Sequence, residues 1–325
     1  MTTNKFLPLG MALAAMMSLS ACDKSAPAQP ESDQSTQAAE TASDAPSQVS
    51  IHTANGELAL PANPHPLAVY DMTALQNLAV LGVPVEGMPA NLRLANVKAE
   101  NTPESADIGT VFEPNLEALN TLQPKAVFVG SRMAEKSEEI AKVAPVVNLT
   151  IDTQNVYEAT KQQLTDFGKL FDKQAEADAA IASIDDEIAK TKAAVANKGN
   201  GLAILVNGNK LSAYGKNSRY GFLHTTFGIP MADEHIQDAR HGQPISFEYL
   251  QKVDPDWLFV LDRGAAIGEE GQSAKAVLDN PLMHGTKAWK NQQIVYLSAD
   301  SYLAFGGYYQ WLNDAKLVRD AFAAK

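Results

Sequence analysis

The stretch Glu113–Arg132, EPNLEALNTLQPKAVFVGSR, can be laid over a later one, Ile245–Arg263, ISFEYLQKVDPDWLFVLDR. Glu117 falls on Glu248, Pro124 on Pro255 and Arg132 on Arg263, with seven residues from Glu to Pro and eight from Pro to Arg in both. Each copy reads the same way physically. A short helix carries Leu or Val two and five positions after the Glu. A Pro, which has no N–H and whose ring clashes with the preceding turn, ends it. The apolar runs AVFV and WLFV then read as buried strands, and an Arg sits just past each strand's carboxyl end.

Two such copies predict two similar α/β lobes. In open α/β sheets ligands sit in the crevice outside the carboxyl ends of the strands. Two lobes that each place an Arg there predict a cleft with a cation on both walls and an anionic ligand between them.

The segment between the copies reads as their connector. Val156–Lys198 is almost wholly helical in pattern, with Tyr157, Leu164, Phe167, Leu170 and Phe171 on one apolar stripe and Ile181, Ile184 and Ile188 on another. Gly199, Asn200 and Gly201 stop it. Lobes on a stiff helical spine close by small motions only. The expected division is a first lobe over 51–155, a spine over 156–199 and a second lobe over 200–325.

In the first lobe, Ile51–Leu60 carries an Asn-Gly hairpin signal. Pro66–Asp71 reads as a strand, Met72–Gly82 as a helix, Glu135–Val143 as a helix and Ala144–Thr150 as a strand. In the second lobe, Gly201–Gly208 and Lys210–Gly215 read as strands and Arg219–Ile229 as a helix. Asp238–Pro244 reads as a loop, as does the stretch carrying Tyr302, and Tyr309–Ala324 reads as a closing helix.

The amino terminus has its own character. Lys5 precedes the apolar run Phe6–Ala21, too short for a comfortable membrane span, and LSAC places small residues directly before Cys22, the single cysteine of 325 residues. This resembles a bacterial lipobox, which implies a signal peptide over 1–21, lipid on Cys22 and, from Asp23, retention at the inner membrane. The remainder to Ser50, rich in Ser, Ala, Gln, Pro and acid, has almost nothing to bury and reads as a flexible tether over 22–50. A formal charge of −12 argues against nucleic acid as a partner, but a local Arg cluster can still focus positive potential inside an acidic protein.

The loops of the expected cleft hold Arg132, Arg219, His241, Arg263 and Tyr302. Three guanidiniums, an imidazole and a phenol suit an anionic metal chelate. Ferric iron prefers hard oxygen donors and accepts imidazole, while guanidinium forks fit anionic oxygens and stack on rings. His52, His65, His224, His235 and His284 have no paired metal spacing and read as structural or solvated. There is no Ser/His/Asp signature, phosphate loop or paired-His zinc motif, which counts against an anchored metal-dependent hydrolase.

The segments Asn209–His224 (NKLSAYGKNSRYGFLH), Arg240–Leu250 (RHGQPISFEYL), Asp256–Arg263 (DWLFVLDR) and Ile294–Ala304 (IVYLSADSYLA) resemble the periplasmic enterochelin-binding lipoproteins of siderophore ABC importers. These belong to the helical-spine cluster of solute-binding proteins (class III), which also includes haem and cobalamin binders. The resemblance runs from about Ile51 to the carboxyl terminus. It implies a non-enzymatic monomer that carries Fe(III) as a ferric catecholate chelate, with no intrinsic cofactor, in the periplasm at the cell's inner membrane. It implies that Arg132, Arg219 and Arg263 hold catecholate oxygens, and that His241 and Tyr302 complete the iron shell of a tetradentate chelate, with Tyr308 or Tyr309 as substitutes for Tyr302. It also implies that Glu117 and Glu248, one per lobe, dock on the ABC permease dimer. Haem or cobalamin is the alternative cargo for the same fold, since Tyr and His also serve haem iron.

Overall fold

A computed structural model describes residues 47–90, 92–94, 96–97, 105–239 and 241–324. All of them belong to the unit Pro46–Lys325. Cys22, the signal peptide and nearly all of the expected tether lie outside the described residues.

The two sequence copies become two equivalent structural units. In the first, α2 (Leu116–Leu122) starts at Asn115, whose side chain accepts from the Ala118 N–H, and ends at Gln123 in the left-handed region (φ 50°). In the second, α5 (Phe247–Val253) starts at Ser246, which accepts from the Tyr249 N–H, and ends at Asp254 (φ 47°). The turn therefore closes one residue before each Pro. Leu119 and Leu250 are the buried residues of these helices, so Glu117 and Glu248 face out and are exposed. The strands that follow, β6 (Ala126–Val129) and β11 (Trp257–Asp262), are buried on both faces apart from Asp262.

Each strand is an interior strand, fourth of five, in its own sheet. The first sheet has the order β5-β4-β3-β6-β7, where β3 is Leu67–Val69, β4 Gly87–Met88, β5 Ala106–Asp107 and β7 Val146–Asn148. All its pairings are parallel. The second has the order β10-β9-β8-β11-β12, where β8 is Gly201–Asn207, β9 Lys210–Tyr214, β10 Gln243–Ile245 and β12 Ile294–Tyr296. Here β8, β11 and β12 run parallel, β9 is antiparallel to β8, and β10 is antiparallel to β9. Parallel strands buried on both faces need the near-continuous apolar runs seen in AVFV and WLFVL.

Several expectations change in detail. The hairpin β1–β2 (Gln48–Thr53, Gly56–Pro61) begins inside the stretch expected as tether, because Ile51 and Leu60 are both buried. The helical connector is two helices, α3 (Val156–Leu170) and α4 (Gln174–Val195), separated where Asp172 takes φ 56°. α3 packs on β1 and on α1 (Met72–Val80) of the first lobe, so α4 alone is the spine, with the closing helix α8 (Tyr308–Ala323) against it. At 1.5 Å per residue it spans about 33 Å. Finally, the stretch around Tyr302 is a short helix, α7 (Asp300–Leu303), and the expected Arg219–Ile229 helix shrinks to Phe222–Thr225.

A second connection runs alongside the spine. Thr73 of α1 donates its hydroxyl to the Phe305 carbonyl (2.9 Å), Asn77 accepts from the Tyr308 N–H (2.9 Å) and Gln76 accepts from the Gln310 N–H (3.1 Å). Thr160 of α3 donates to the Gly306 carbonyl (2.8 Å). These bonds fasten the segment after β12 to the first lobe.

Candidate functional site

At the carboxyl end of β6 the chain turns through Gly130, where the Asp71 carboxylate fills the space that a Cβ would need. Only glycine allows this close approach. The turn brings Arg132 toward α7 of the second lobe. Its Nη1 donates to the Leu303 carbonyl (3.0 Å) and its Nη2 to the Tyr302 carbonyl (2.6 Å). Its guanidinium carbon lies 5.4 Å from the centre of the Tyr302 ring.

From the other side, Arg219 donates through Nη1 to the same Tyr302 carbonyl (3.1 Å), with its guanidinium 5.1 Å from the Tyr302 ring and 5.9 Å from that of Phe305. Burial, and then the neighbouring Arg219 charge, pull the Arg132 pKa below the ordinary guanidinium value. Two like charges are thus held together, an arrangement that an anion relieves.

Arg263 opens the helix α6 (Arg263–Ile267) directly after β11. Its side chain donates to Glu269 (3.0 Å), and against burial, which lowers it, the nearby Tyr302 phenol and Glu269 raise its pKa. Arg132 and Arg219 therefore converge on the ring and carbonyl of Tyr302, while Arg263 stands within electrostatic reach of its phenol.

Around this residue opens a cavity of about 580 Å³, lined by Arg132, Arg219, Tyr302 and Phe305 together with Asp71, Glu135 and Asp238. Arg263 is absent from that lining. His241 is exposed and also absent from the lining, although Asp238 and Ala239 of the same loop belong to it. The structure thus places the expected phenol in the cavity and leaves the expected imidazole beside it. Arg240 lies outside the described residues. The substitute phenols are elsewhere: the Tyr308 hydroxyl lies 3.4 Å from Ser183 of the spine, and its ring packs on that of Tyr309.

Four of the other histidines have hydrogen-bonding partners of their own. His52 meets Asp166, His65 meets Glu86, His224 meets the Ile229 carbonyl and His284 meets Asp279. Among the described residues no group of three or more His, Cys, Asp or Glu could hold a metal ion, and no helix is long and apolar enough to cross a membrane.

Sequence reasoning missed the carboxylates. Asp71 follows β3 as Arg132 follows β6, so the rule that found the arginines applies to it equally. It caps α1 by accepting from the Ala74 N–H (2.7 Å). Burial raises its pKa, opposed by that N–H and by Arg132.

The profile of the periplasmic binding protein family matches residues 67–301, and the chain belongs to that family, one of solute-binding proteins rather than enzymes. It is 38% identical over 266 residues to the petrobactin-binding protein YclQ of Bacillus subtilis, covering 80% of this chain and 83% of the relative. It is 33% identical over 253 residues to the ferric-anguibactin-binding protein FatB of Vibrio anguillarum, covering 76% and 79%. The crystal structure of YclQ superposes with a TM-score of 0.80 over 85% of this chain and 99% of that one, at 34% identity. The siderophore-binding protein BauB, bound to two molecules of acinetobactin and ferric iron, superposes at 0.76 over 85% and 99%, at 28% identity.

Proposed function

We propose that this protein captures a ferric siderophore of the catecholate type, enterochelin-like or a tetradentate fragment, in the periplasm and delivers it to an ABC permease for iron uptake. The observation that carries this is the convergence of Arg132 and Arg219 on Tyr302 at the floor of the 580 Å³ cavity. Guanidiniums at that floor meet anionic catecholate oxygens, and their flat faces suit the rings. Relatives named for petrobactin, ferric anguibactin and acinetobactin support a siderophore as the cargo.

In this reading Arg132, Arg219 and Arg263 hold the chelate. Tyr302 and His241 supply the two donors that a tetradentate chelate leaves open, His241 swinging in from its exposed loop. Cys22 carries the lipid that keeps the protein at the inner membrane. Glu117 and Glu248, exposed on matched helices of the two lobes, present paired charges to the permease dimer.

A titration with a ferric bis-catecholate, followed by its charge-transfer absorption, tests the iron assignment. Tyr302→Phe and His241→Ala are each expected to shift the band and weaken binding about tenfold or more, the scale of losing one charge-assisted contact. An unchanged band and affinity in both variants would falsify the roles of these two donors.

A further inference from the structure

Tyr302 sits on α7, a helix of four residues. One turn does not hold its own direction, since helices shorter than about 12 residues are marginal without tertiary support, and α7 has no side-chain cap at its start. It is held from two sides instead. On the cavity side, Arg132 donates to the Tyr302 and Leu303 carbonyls and Arg219 to that of Tyr302. On the core side, the hydroxyl of Ser301, the residue before Tyr302, lies 2.7 Å from both oxygens of Asp314 on α8. Ser301 and Asp314 are fully buried, and neither lines the cavity.

Cargo acts differently on the two sides. In the reading above, the guanidiniums that serve the α7 carbonyls also meet the catecholate oxygens, so cargo competes for their N–H groups. The bond from Ser301 to Asp314 has no such competitor. Its acceptor is itself anchored. The Gln310 amide donates to the same carboxyl (2.6 Å), and the Gln310 backbone N–H donates to Gln76 of α1 (3.1 Å). Asp314 therefore joins α7 to the segment fastened to the first lobe. Burial pushes its pKa up to about 6, against the hydrogen bonds from Gln310 and Ser301. At pH 7.5 it is thus ionised, and a hydrogen bond to it is of the stronger, charge-assisted kind.

We propose that Ser301 and Asp314 are positioning residues for iron capture, holding the Tyr302 phenol at the ferric ion while the arginines turn to the chelate. The inference deepens the ferric-siderophore reading and rests on it. Neither residue touches the cargo; both act through the phenol that follows Ser301 in the chain.

A double-mutant comparison at pH 7.5, with a ferric bis-catecholate as the probe, tests it. Affinity and the charge-transfer band are measured for the wild-type chain, Asp314→Asn, Ser301→Ala and Tyr302→Phe, and for each of the first two changes combined with Tyr302→Phe. Asp314→Asn keeps the shape and removes the charge, whereas Ser301→Ala removes the donor, so loss of the fold in one leaves the other to decide. Each is expected to weaken binding about three- to tenfold, less than the full loss of a hydrogen bond to a charged group, and to move the band toward that of Tyr302→Phe. In the Tyr302→Phe background each is expected to change little, because the group it acts through is gone. Equal losses with and without the phenol would mark a general structural role and overturn the inference, as would unchanged affinity and band in both single variants. If Tyr302→Phe alone leaves band and affinity unchanged, the reading of Tyr302 as an iron donor falls, and this inference with it.

Discussion

At the scale of single residues, the site turns on what lies beside Tyr302. Arg132 was legible from its place after an apolar run, and the repeat made Arg263 legible through Arg132. What the residues did not reveal is how the arginines are used. Arg132 commits two of its donors to the carbonyls of Tyr302 and Leu303, so it joins the lobes as well as facing the cavity. Nothing in local sequence encodes a partner 170 positions away. The carboxylates of the lining were hidden for a different reason: a search for cations does not register acids, although Asp71 occupies the same kind of strand end. Gly130 is the sharpest case. A Cβ there collides with the Asp71 carboxylate, which also caps α1. Gly130→Ala is therefore expected to destabilise the protein by about 1–3 kcal/mol through local overpacking and to weaken chelate binding by displacing the Arg132 turn. Thermal denaturation together with a binding titration checks both effects, and an alanine variant with wild-type stability would contradict the close approach.

At the scale of elements, the repeat told most. Helix, left-handed cap, Pro and buried strand recur in the structure with the sequence offset intact, since Asn115 and Ser246 cap equivalent helices and Gln123 and Asp254 end them. The elements that sequence reading missed are those with too few residues to show a period. α7 has four residues, and the break between α3 and α4 rests on one backbone reversal at Asp172 with no Pro to announce it. α7 is held by a buried network instead. The Ser301 hydroxyl lies 2.7 Å from both oxygens of Asp314 on α8, and the Gln310 amide donates to the same carboxyl at 2.6 Å. Burial raises the Asp314 pKa from 3.8 to about 6, against those hydrogen bonds and with a further push from Asp300. Between those values the native carboxyl holds a proton that the unfolded chain has released, so the contribution to stability is present at pH 4 and lost as pH rises toward 6. The full difference is about 3 kcal/mol, at 1.36 kcal/mol per pH unit. Asp314→Asn, which keeps the shape and cannot ionise, is expected to flatten the melting temperature against pH across this window. An equally steep profile in the variant would place the titration elsewhere.

At the scale of the whole molecule, two ties limit how far the lobes can move. The spine α4 is one, and the bonds from Thr73, Gln76, Asn77 and Thr160 to the 305–310 segment are the other. The sequence foretold the first, through its helical period. It did not foretell the second, because polar residues on α1 look solvated until their partners are known; Gln76 and Asn77 are in fact fully buried. With both ties in place, ligand capture is expected to proceed through side-chain and loop adjustment rather than domain rotation. Small-angle scattering with and without a saturating ferric bis-catecholate checks this: nearly superimposable curves are expected, and a marked fall in the radius of gyration would show that the second tie opens.

The central claim is that guanidiniums from the two lobes hold an anionic ferric chelate around Tyr302. The most direct measurement is the dissociation constant of a ferric bis-catecholate for the wild-type chain and for Arg132→Ala, Arg219→Ala and the double variant, by quenching of tryptophan fluorescence. Saturable binding of one chelate per chain is expected, weakened about tenfold to a hundredfold by each single change at the scale of a lost charge-assisted contact, and abolished or nearly so in the double variant. Wild-type affinity in the double variant, or no saturable binding by the unaltered chain, would contradict it.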